Sequence, residues 1–256
     1  MDKRPSQTLI VTGMHRSGTS LVANYLSQCG CVMGGNLLPG SKHNRKGYYE
    51  DIQFLSFHEG ILRNSVSSWH DVPFRGVLPI TEHDKEAAKL LLEKRKHLIL
   101  WGWKDPRTVL FLDFWAQLCP NAGFVFLYRE PAQVLTSLLK RGDNRLHLYF
   151  MNRIKLFRYL KSLRLYISYN SRILDFINKH AHRCILLSLA DVVAGNIQLL
   201  DAIREKLRIT GFNQKPLEVV FRADLLHQNR TVLSRLVAST PGIRKVYREL
   251  EAKKYI

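Results

Sequence analysis

Residues 8–20 read Thr-Leu-Ile-Val-Thr-Gly-Met-His-Arg-Ser-Gly-Thr-Ser, so an apolar strand runs into a glycine-containing loop and the loop runs into a helix. The spacing from Gly13 to Gly18 nearly matches the P-loop signature G-x-x-x-x-G-K-[ST]. Thr19 stands where that signature has its phosphate-binding lysine, and the nearest cation is Arg16 inside the loop. Backbone N–H groups at a helix N-terminus bind anions. The stretch therefore predicts an anion site that differs from a triphosphate site, the alternative being a plain turn with a hydroxyl helix cap.

The bulk composition predicts an ordinary globular protein. The 256 residues are 46% hydrophobic, which suits one domain over residues 1–256 with a sizeable core. The apolar runs are shorter than the roughly 20 residues that a membrane span needs, so we expect no transmembrane segment. The N-terminal residues lead directly into the first predicted strand, so we expect no signal peptide, and the four cysteines lack C-x-x-C spacing. These features favour a cytoplasmic protein with reduced thiols and no bound metal.

The net charge of +18 predicts anionic partners, such as a nucleotide-like cofactor, an acidic substrate, nucleic acid or a membrane surface. Between Arg145 and Arg183 the chain carries nine Lys or Arg residues and one acid, Asp175. This segment is either a solvated helix face or a wall that attracts a charged substrate. No recognised nucleic-acid-binding module accompanies the charge, so we expect no nucleic-acid partner.

Apolar and amphipathic segments alternate along the chain. The predicted strands are Leu9–Thr12, Leu98–Trp101, Gly123–Leu127 and Arg183–Leu187. The predicted helices are Thr19–Cys29, Ile52–Asn64, Glu82–Lys96, Thr108–Leu118, Ala132–Lys140, Leu146–His180, Asn196–Leu207 and Val232–Lys253. Strands that alternate with helices form βαβ units. The fold class is therefore α/β, a P-loop-like three-layer α/β/α arrangement with a central, mainly parallel β-sheet.

Three of the predicted strands end in residues that suit a charged ligand. The first leads into the loop Gly13–Ser20, the second into Lys104–Arg107, and the third into Arg129–Pro131. Ligands of open parallel sheets bind beyond the carboxyl ends of the strands. We therefore expect the three clusters to line one crevice.

Two of these clusters together resemble the sulfotransferase family, whose donor is 3′-phosphoadenosine 5′-phosphosulfate. The family's 5′-phosphosulfate loop, a strand followed by a basic residue and Ser-Gly-Thr, matches residues 16–20. Its 3′-phosphate motif, an Arg at a strand end and a Ser eight residues later, matches Arg129 and Ser137. Residues 102–107 resemble the Lys-Asp-Pro segment of the tyrosylprotein branch, and residues 44–51 resemble the acidic segment of bacterial sulfotransferases. The resemblance covers about residues 8–192.

The resemblance assigns roles at the two ends of this donor, which acts as a co-substrate and needs no metal. It places the 5′-phosphosulfate on the loop residues Arg16, Ser17, Gly18, Thr19 and Ser20. It places the 3′-phosphate on Arg129 and Ser137.

Two of the cations also receive a catalytic role from the resemblance. Arg16 replaces the family's more common lysine and would neutralise charge on the bridging oxygen as the S–O bond breaks. Lys104 would contact the sulfuryl oxygens. The simpler alternative for Lys104 is a salt bridge to its neighbour Asp105.

The general base must take a proton from the attacking hydroxyl. Cytosolic sulfotransferases use a His in this role, whereas the glycan and tyrosylprotein branches use a Glu. We predict Glu50, which lies in the acidic segment after the first motif, and Asp51 is the adjacent rival. His58 and His70 are further candidates that suit structural or surface roles.

Two parts of the binding site are less defined by the sequence. The late segment Phe221–Arg230 is our candidate for adenine, although it does not match the family's glycine-rich loop. The acceptor pocket is expected from Val32–Gly47, Ser65–Thr81 and part of the basic segment 145–183. The acceptor itself is a hydroxyl group of a glycan, a lipid or a small alcohol, and the basic side chains favour an acidic glycan.

Two other function classes are compatible with parts of the sequence. A P-loop kinase or NTPase would bind ATP with magnesium, but Thr19 replaces the lysine and no persuasive magnesium-binding carboxylate follows. A basic polyanion-binding module would follow from the net charge alone. Selective binding of the sulfate donor separates a sulfotransferase from both.

Overall fold

The computed structural model describes residues 5–40, 47–66, 78–140, 151–220, 237 and 239–255. Its centre is a sheet of four strands in the order β2-β1-β3-β4. The strands are β1 Gln7–Gly13, β2 Leu100–Lys104, β3 Gly123–Tyr128 and β4 Cys184–Ser188. All three neighbouring pairs are parallel, which confirms the predicted α/β class with a parallel sheet.

Helices connect the strands and cover the sheet. They are α1 Thr19–Gln28, α2 Ile52–Val66, α3 Glu82–Glu93, α4 Leu112–Leu118, α5 Pro131–Lys140, α6 Met151–His180, α7 Leu189–Val193, α8 Leu199–Leu207 and α9 Pro241–Ala252. Short 3₁₀ turns occupy Pro106–Phe111, Ala181–Arg183 and Leu217–Val219.

The sheet separates two apolar clusters, which is why its strands are apolar along their whole length. Ile10, Trp103 and Phe126 belong to one cluster with residues of α2, α4 and α6. Leu9 and Val11 belong to the other, with residues of α1 and α8. Successive strand residues point to opposite faces, so neighbours in β1 alternate between the two clusters. The single domain expected over residues 1–256 stays a prediction.

The second strand lies further along the chain than Leu98–Trp101, the range expected from the sequence. It runs from Leu100 to Lys104 because its register with β1 extends to the pair Val11↔Lys104. Gly102 permits this pairing, since a Cβ there would lie 1.9 Å from the Leu9 carbonyl oxygen. Lys104 is therefore the last residue of the strand and shares the carboxyl edge of the sheet with the end of β1.

The helix expected over Thr108–Leu118 is a 3₁₀ turn followed by the shorter α4. Asp105 begins this turn, because its Oδ1 accepts a hydrogen bond from the Arg107 N–H at 2.9 Å and Pro106 follows as the first residue of the turn. The sequence reading also missed α7, which follows β4 directly. All four cysteines are free thiols.

Candidate functional site

The loop after β1 has the geometry of an anion cradle. Arg16 adopts a left-handed backbone with φ of 71°, and the Ser17 N–H donates to the Met14 carbonyl at 3.1 Å. The N-cap of α1 is Gly18, with φ of 92°, so neither Thr19 nor Ser20 caps the helix as the simpler alternative expected. Within the described residues the fully buried Ser17 Oγ has no hydrogen-bond partner. A loop that leads into the first N–H groups of a helix suits an anionic ligand.

Close packing fixes the course of this loop. At Gly13 a Cβ would lie 2.2 Å from the Leu127 carbonyl oxygen, and at Gly18 it would lie 2.5 Å from Leu189 Cδ1. Neither position accepts a side chain without movement of its surroundings. The two glycines of the sequence motif therefore hold the loop against β3 and α7.

The cations expected at the two ends of the donor lie beside one another. Arg16 Nε donates to Ser137 Oγ at 2.7 Å, and Arg129 Nη1 contacts the Arg16 carbonyl oxygen at 3.4 Å. Arg129 Nε also donates to Gln133 Oε1 at 2.7 Å. Burial lowers the pKa of Arg129, and the positive charge of Arg16 lowers it further. The structure thus brings Arg16, Arg129 and Ser137 together, with the two guanidinium groups as neighbours.

Glu50 and Lys104 form a second group at the neighbouring strand end. Lys104 Nζ donates to Glu50 Oε1 at 2.7 Å and to the Tyr48 carbonyl at 3.1 Å. Both side chains are buried, with 2% of Lys104 and 8% of Glu50 exposed. The alternative pairing of Lys104 with Asp105 is not found.

Arg107 is the residue of this group to which the sequence reading gave no role. Its Nη1 lies 3.4 Å from Glu50 Oε2 and 2.9 Å from Asp105 Oδ1, and its Nη2 lies 2.9 Å from Glu59 Oε1. Burial opposes ionisation of Asp105, but the Arg107 charge and a hydrogen bond from His58 outweigh it and lower the pKa of the carboxyl. The sequence did contain one indication of a role for Arg107, because this residue follows Lys104 by three positions at the end of a predicted strand.

The rival base Asp51 is engaged in holding the fold. Its Oδ1 accepts the Gln53 N–H at 2.8 Å at the start of α2, and its Oδ2 pairs with Arg95 Nη2 at 2.6 Å. Arg95 also lies over the Phe54 ring. These contacts engage both carboxylate oxygens of Asp51 and fix the backbone next to Glu50.

His58 is buried with both ring nitrogens bonded. Its Nδ1 lies 2.8 Å from Asp105 Oδ2, and its Nε2 accepts from Trp115 Nε1 at 2.8 Å. An indole N–H can only donate, so the proton of the ring is assigned to Nδ1. His58 therefore holds the Asp105 carboxylate in this structure. His70 and the adenine candidate Phe221–Arg230 lie outside the described residues.

Three contacts connect the two groups with one edge of the sheet. Thr12 Oγ1 at the end of β1 donates to the Asp105 carbonyl at 2.8 Å. Helix α6 packs over the same edge, where Tyr166 OH donates to the Arg129 carbonyl at 3.1 Å and the Tyr169 ring meets the His15 ring edge-on. The ends of β1, β2 and β3 therefore form one continuous region.

Metal-binding groups and membrane-spanning helices were sought in the described part of the chain. There, no group of three or more His, Cys, Asp or Glu side chains is arranged to hold a metal ion. None of its helices combines the length and apolar character that crossing a membrane requires.

Comparison with known proteins identifies a family for this chain. A family model described as "Sulfotransferase family" matches residues 8–214, whereas no curated protein matches the chain. A sulfotransferase from Alicyclobacillus acidocaldarius has a similar fold, with a TM-score of 0.57 at 14% identity over 98% of this chain and 96% of that one. The sulfotransferase STF1 from Mycobacterium tuberculosis gives a TM-score of 0.58 at 13% identity over 97% of this chain and 77% of that one. The chain belongs to the sulfotransferase family.

Proposed function

We propose that this chain transfers a sulfuryl group from 3′-phosphoadenosine 5′-phosphosulfate to an acceptor hydroxyl by in-line displacement. One observation carries the proposal: Arg16 meets Arg129 and Ser137, more than 100 residues away in sequence, beside the N-terminus of α1. Two neighbouring guanidinium groups at a helix N-terminus suit a ligand with several negative charges. A donor with a phosphate at each end of its ribose has that character.

In this proposal the loop and the end of β3 hold opposite ends of the donor. Residues Ser17, Gly18, Thr19 and Ser20 bind the 5′-phosphosulfate through backbone N–H and hydroxyl groups. Arg129 and Ser137 bind the 3′-phosphate, and Arg16 lies between the two. Electrostatic neutralisation comes from these side chains, so the donor needs no metal ion.

The chemistry needs a base and a cation at the sulfur. Glu50 takes the proton of the acceptor hydroxyl, and the acceptor oxygen forms a bond to sulfur as the bond from sulfur to the 5′-phosphate oxygen breaks. The electron pair of that bond stays on the leaving 3′-phosphoadenosine 5′-phosphate. Arg16 and Lys104 stabilise the charge that develops. Lys104 has three N–H donors and uses two on Glu50 and Tyr48, which supports a third bond to a sulfuryl oxygen.

The class of acceptor is inferred from the net charge of the chain rather than from the shape of a pocket. A net charge of +18 favours an acidic acceptor such as a glycan, and a lipid or a small alcohol is the alternative. A cytoplasmic location is part of the same proposal.

Isothermal titration calorimetry tests the donor. We expect 3′-phosphoadenosine 5′-phosphate to bind with the same affinity with and without magnesium, and ATP to bind at least about tenfold more weakly, since it lacks the 3′-phosphate. Tighter binding of ATP that depends on magnesium would favour the kinase or NTPase alternative and overturn the proposal.

A further inference from the structure

We propose that Arg107 is a positioning residue that fixes the orientation of the Glu50 carboxylate. The inference rests on the proposed role of Glu50 as the general base. Glu50 Oε1 is bound by Lys104, and Glu50 Oε2 faces Arg107 Nη1 at 3.4 Å. Contacts at both oxygens restrict rotation of the carboxylate about its last bond more than the Lys104 contact would alone.

The guanidinium group suits this task because it is planar and holds its donors at fixed angles. Nη1 of Arg107 serves Asp105 and Glu50, and Nη2 serves Glu59. One rigid group thus sets the relative positions of three carboxylates. Lys104, a single point charge on a flexible chain, cannot do the same.

A buried chain of bonds holds Arg107 itself in place. Trp115 donates to His58, His58 bonds Asp105 at 2.8 Å, and Asp105 Oδ1 accepts from both the backbone and the Nη1 of Arg107 at 2.9 Å. The Asp105 side chain is 1% exposed. Because such a carboxylate is costly to bury without a cation, Arg107 stays next to it, and Glu50 gains a partner whose position does not vary.

A purely structural role for Arg107 makes a different prediction. If Arg107 served only to neutralise Asp105, its loss would lower stability and would slow the reaction by the same factor whether or not Glu50 is present. If it acts through Glu50, its effect on the reaction disappears once Glu50 has lost its basic group.

A double-mutant cycle separates the two roles. The protein, Arg107→Ala, Glu50→Gln and the double variant are compared by single-turnover release of 3′-phosphoadenosine 5′-phosphate from the sulfated donor, with phenol as the probe acceptor. We expect Arg107→Ala to slow release on the order of a hundredfold, the cost of a base misplaced by about 1 Å. Adding it to Glu50→Gln should change the rate by less than about twofold.

Two companion variants keep the result interpretable. Arg107→Lys keeps the positive charge and removes the planar, two-armed donor group. If Arg107→Ala does not fold, Arg107→Lys replaces it in the cycle. We then expect a loss of rate of about tenfold, which should also disappear when Glu50→Gln is present. The control is Arg183→Ala, which removes a half-buried arginine whose Nη2 donates to the Ala116 carbonyl at 3.1 Å. It should lower the melting temperature and leave the release rate unchanged.

The outcomes distinguish this inference from the proposed function. A normal rate in Arg107→Ala, or losses that multiply in the double variant, overturns the positioning role while Glu50 keeps its own. A normal rate in Glu50→Gln overturns both the role of Glu50 as the base and the positioning role of Arg107. Donor binding measured by calorimetry then shows whether the rest of the proposed function holds.

Discussion

The two groups of cations at the edge of the sheet have opposite electrostatic surroundings. Arg129, in the group with Arg16 and Ser137, has its pKa lowered by burial and by a neighbouring positive charge. Burial also acts to lower the pKa of Arg107, but Asp105 and Glu50 outweigh it and raise the pKa. The first group therefore favours an incoming anion, whereas the second already holds its own anions. We infer that the first group binds the donor and that the second, together with Arg16, carries the chemistry.

The largest effect expected from this contrast is on the reaction rate. Glu50→Gln keeps the shape of the side chain and removes the base, so turnover should fall by on the order of a hundredfold or more. Calorimetry should give the same affinity for 3′-phosphoadenosine 5′-phosphate as in the parent protein, since Glu50 belongs to the second group. If Asp51→Asn abolished turnover and Glu50→Gln did not, the adjacent carboxylate would be the base.

Arg129→Ala should weaken donor binding by the group of Arg16, Arg129 and Ser137. Loss of a charge-assisted hydrogen bond is worth about 1.5–3 kcal/mol, so the Kd for 3′-phosphoadenosine 5′-phosphate should rise by about tenfold to a hundredfold. Gln133→Ala is the matched control, because it removes a neutral partner of Arg129 and keeps the charge. Equal affinity in Arg129→Ala and the parent protein would remove the donor role of the first group.

The Asp105 carboxylate should make stability depend on acid pH. Its pKa is lowered in the folded protein, so in acid the unfolded state binds more protons and stability falls as the pH drops from about 4 through the folded pKa. Urea denaturation at pH 6 and pH 3 should show a smaller difference for Asp105→Asn than for the parent protein. Equal differences would mean that the second group does not hold this carboxylate ionised.

The smallest effect is expected at Ser137. Ser137→Ala removes the hydrogen bond from Arg16 and one donor to the proposed 3′-phosphate, a loss of about 0.5–1.5 kcal/mol. The Kd for 3′-phosphoadenosine 5′-phosphate should rise by about tenfold or less. Thr136→Ala is a neighbouring control, because the Thr136 hydroxyl donates to the Ala132 carbonyl within α5. A larger effect in the control than in Ser137→Ala would contradict the assignment.

Residue order and spacing predict the fold because they depend on local pattern. The apolar run of β1, the two glycines of its loop and the Arg129–Ser137 spacing identify the α/β sheet and the family, and both are confirmed. The end of β2 was misplaced by three residues because pairing with β1, rather than the local apolar run, decides where that strand ends.

The pairing of charges within the site depends on contacts that no local pattern encodes. Glu50 meets Lys104 and Arg107 across 54 and 57 residues of sequence. Local geometry does argue against the alternative pairing of Lys104 with Asp105: Lys104 ends β2 and Asp105 continues in extended backbone, so their side chains point to opposite faces. The roles of the site residues stay predictions.

The central claim is that the group of Arg16, Arg129 and Ser137 recognises a 3′-phosphate. It is tested most directly by calorimetric comparison of 3′-phosphoadenosine 5′-phosphate with adenosine 5′-phosphate, which differ only in that group. We predict that the first binds at least about tenfold more tightly, the scale of one charge-assisted bond. Equal affinities for the two nucleotides would contradict the account.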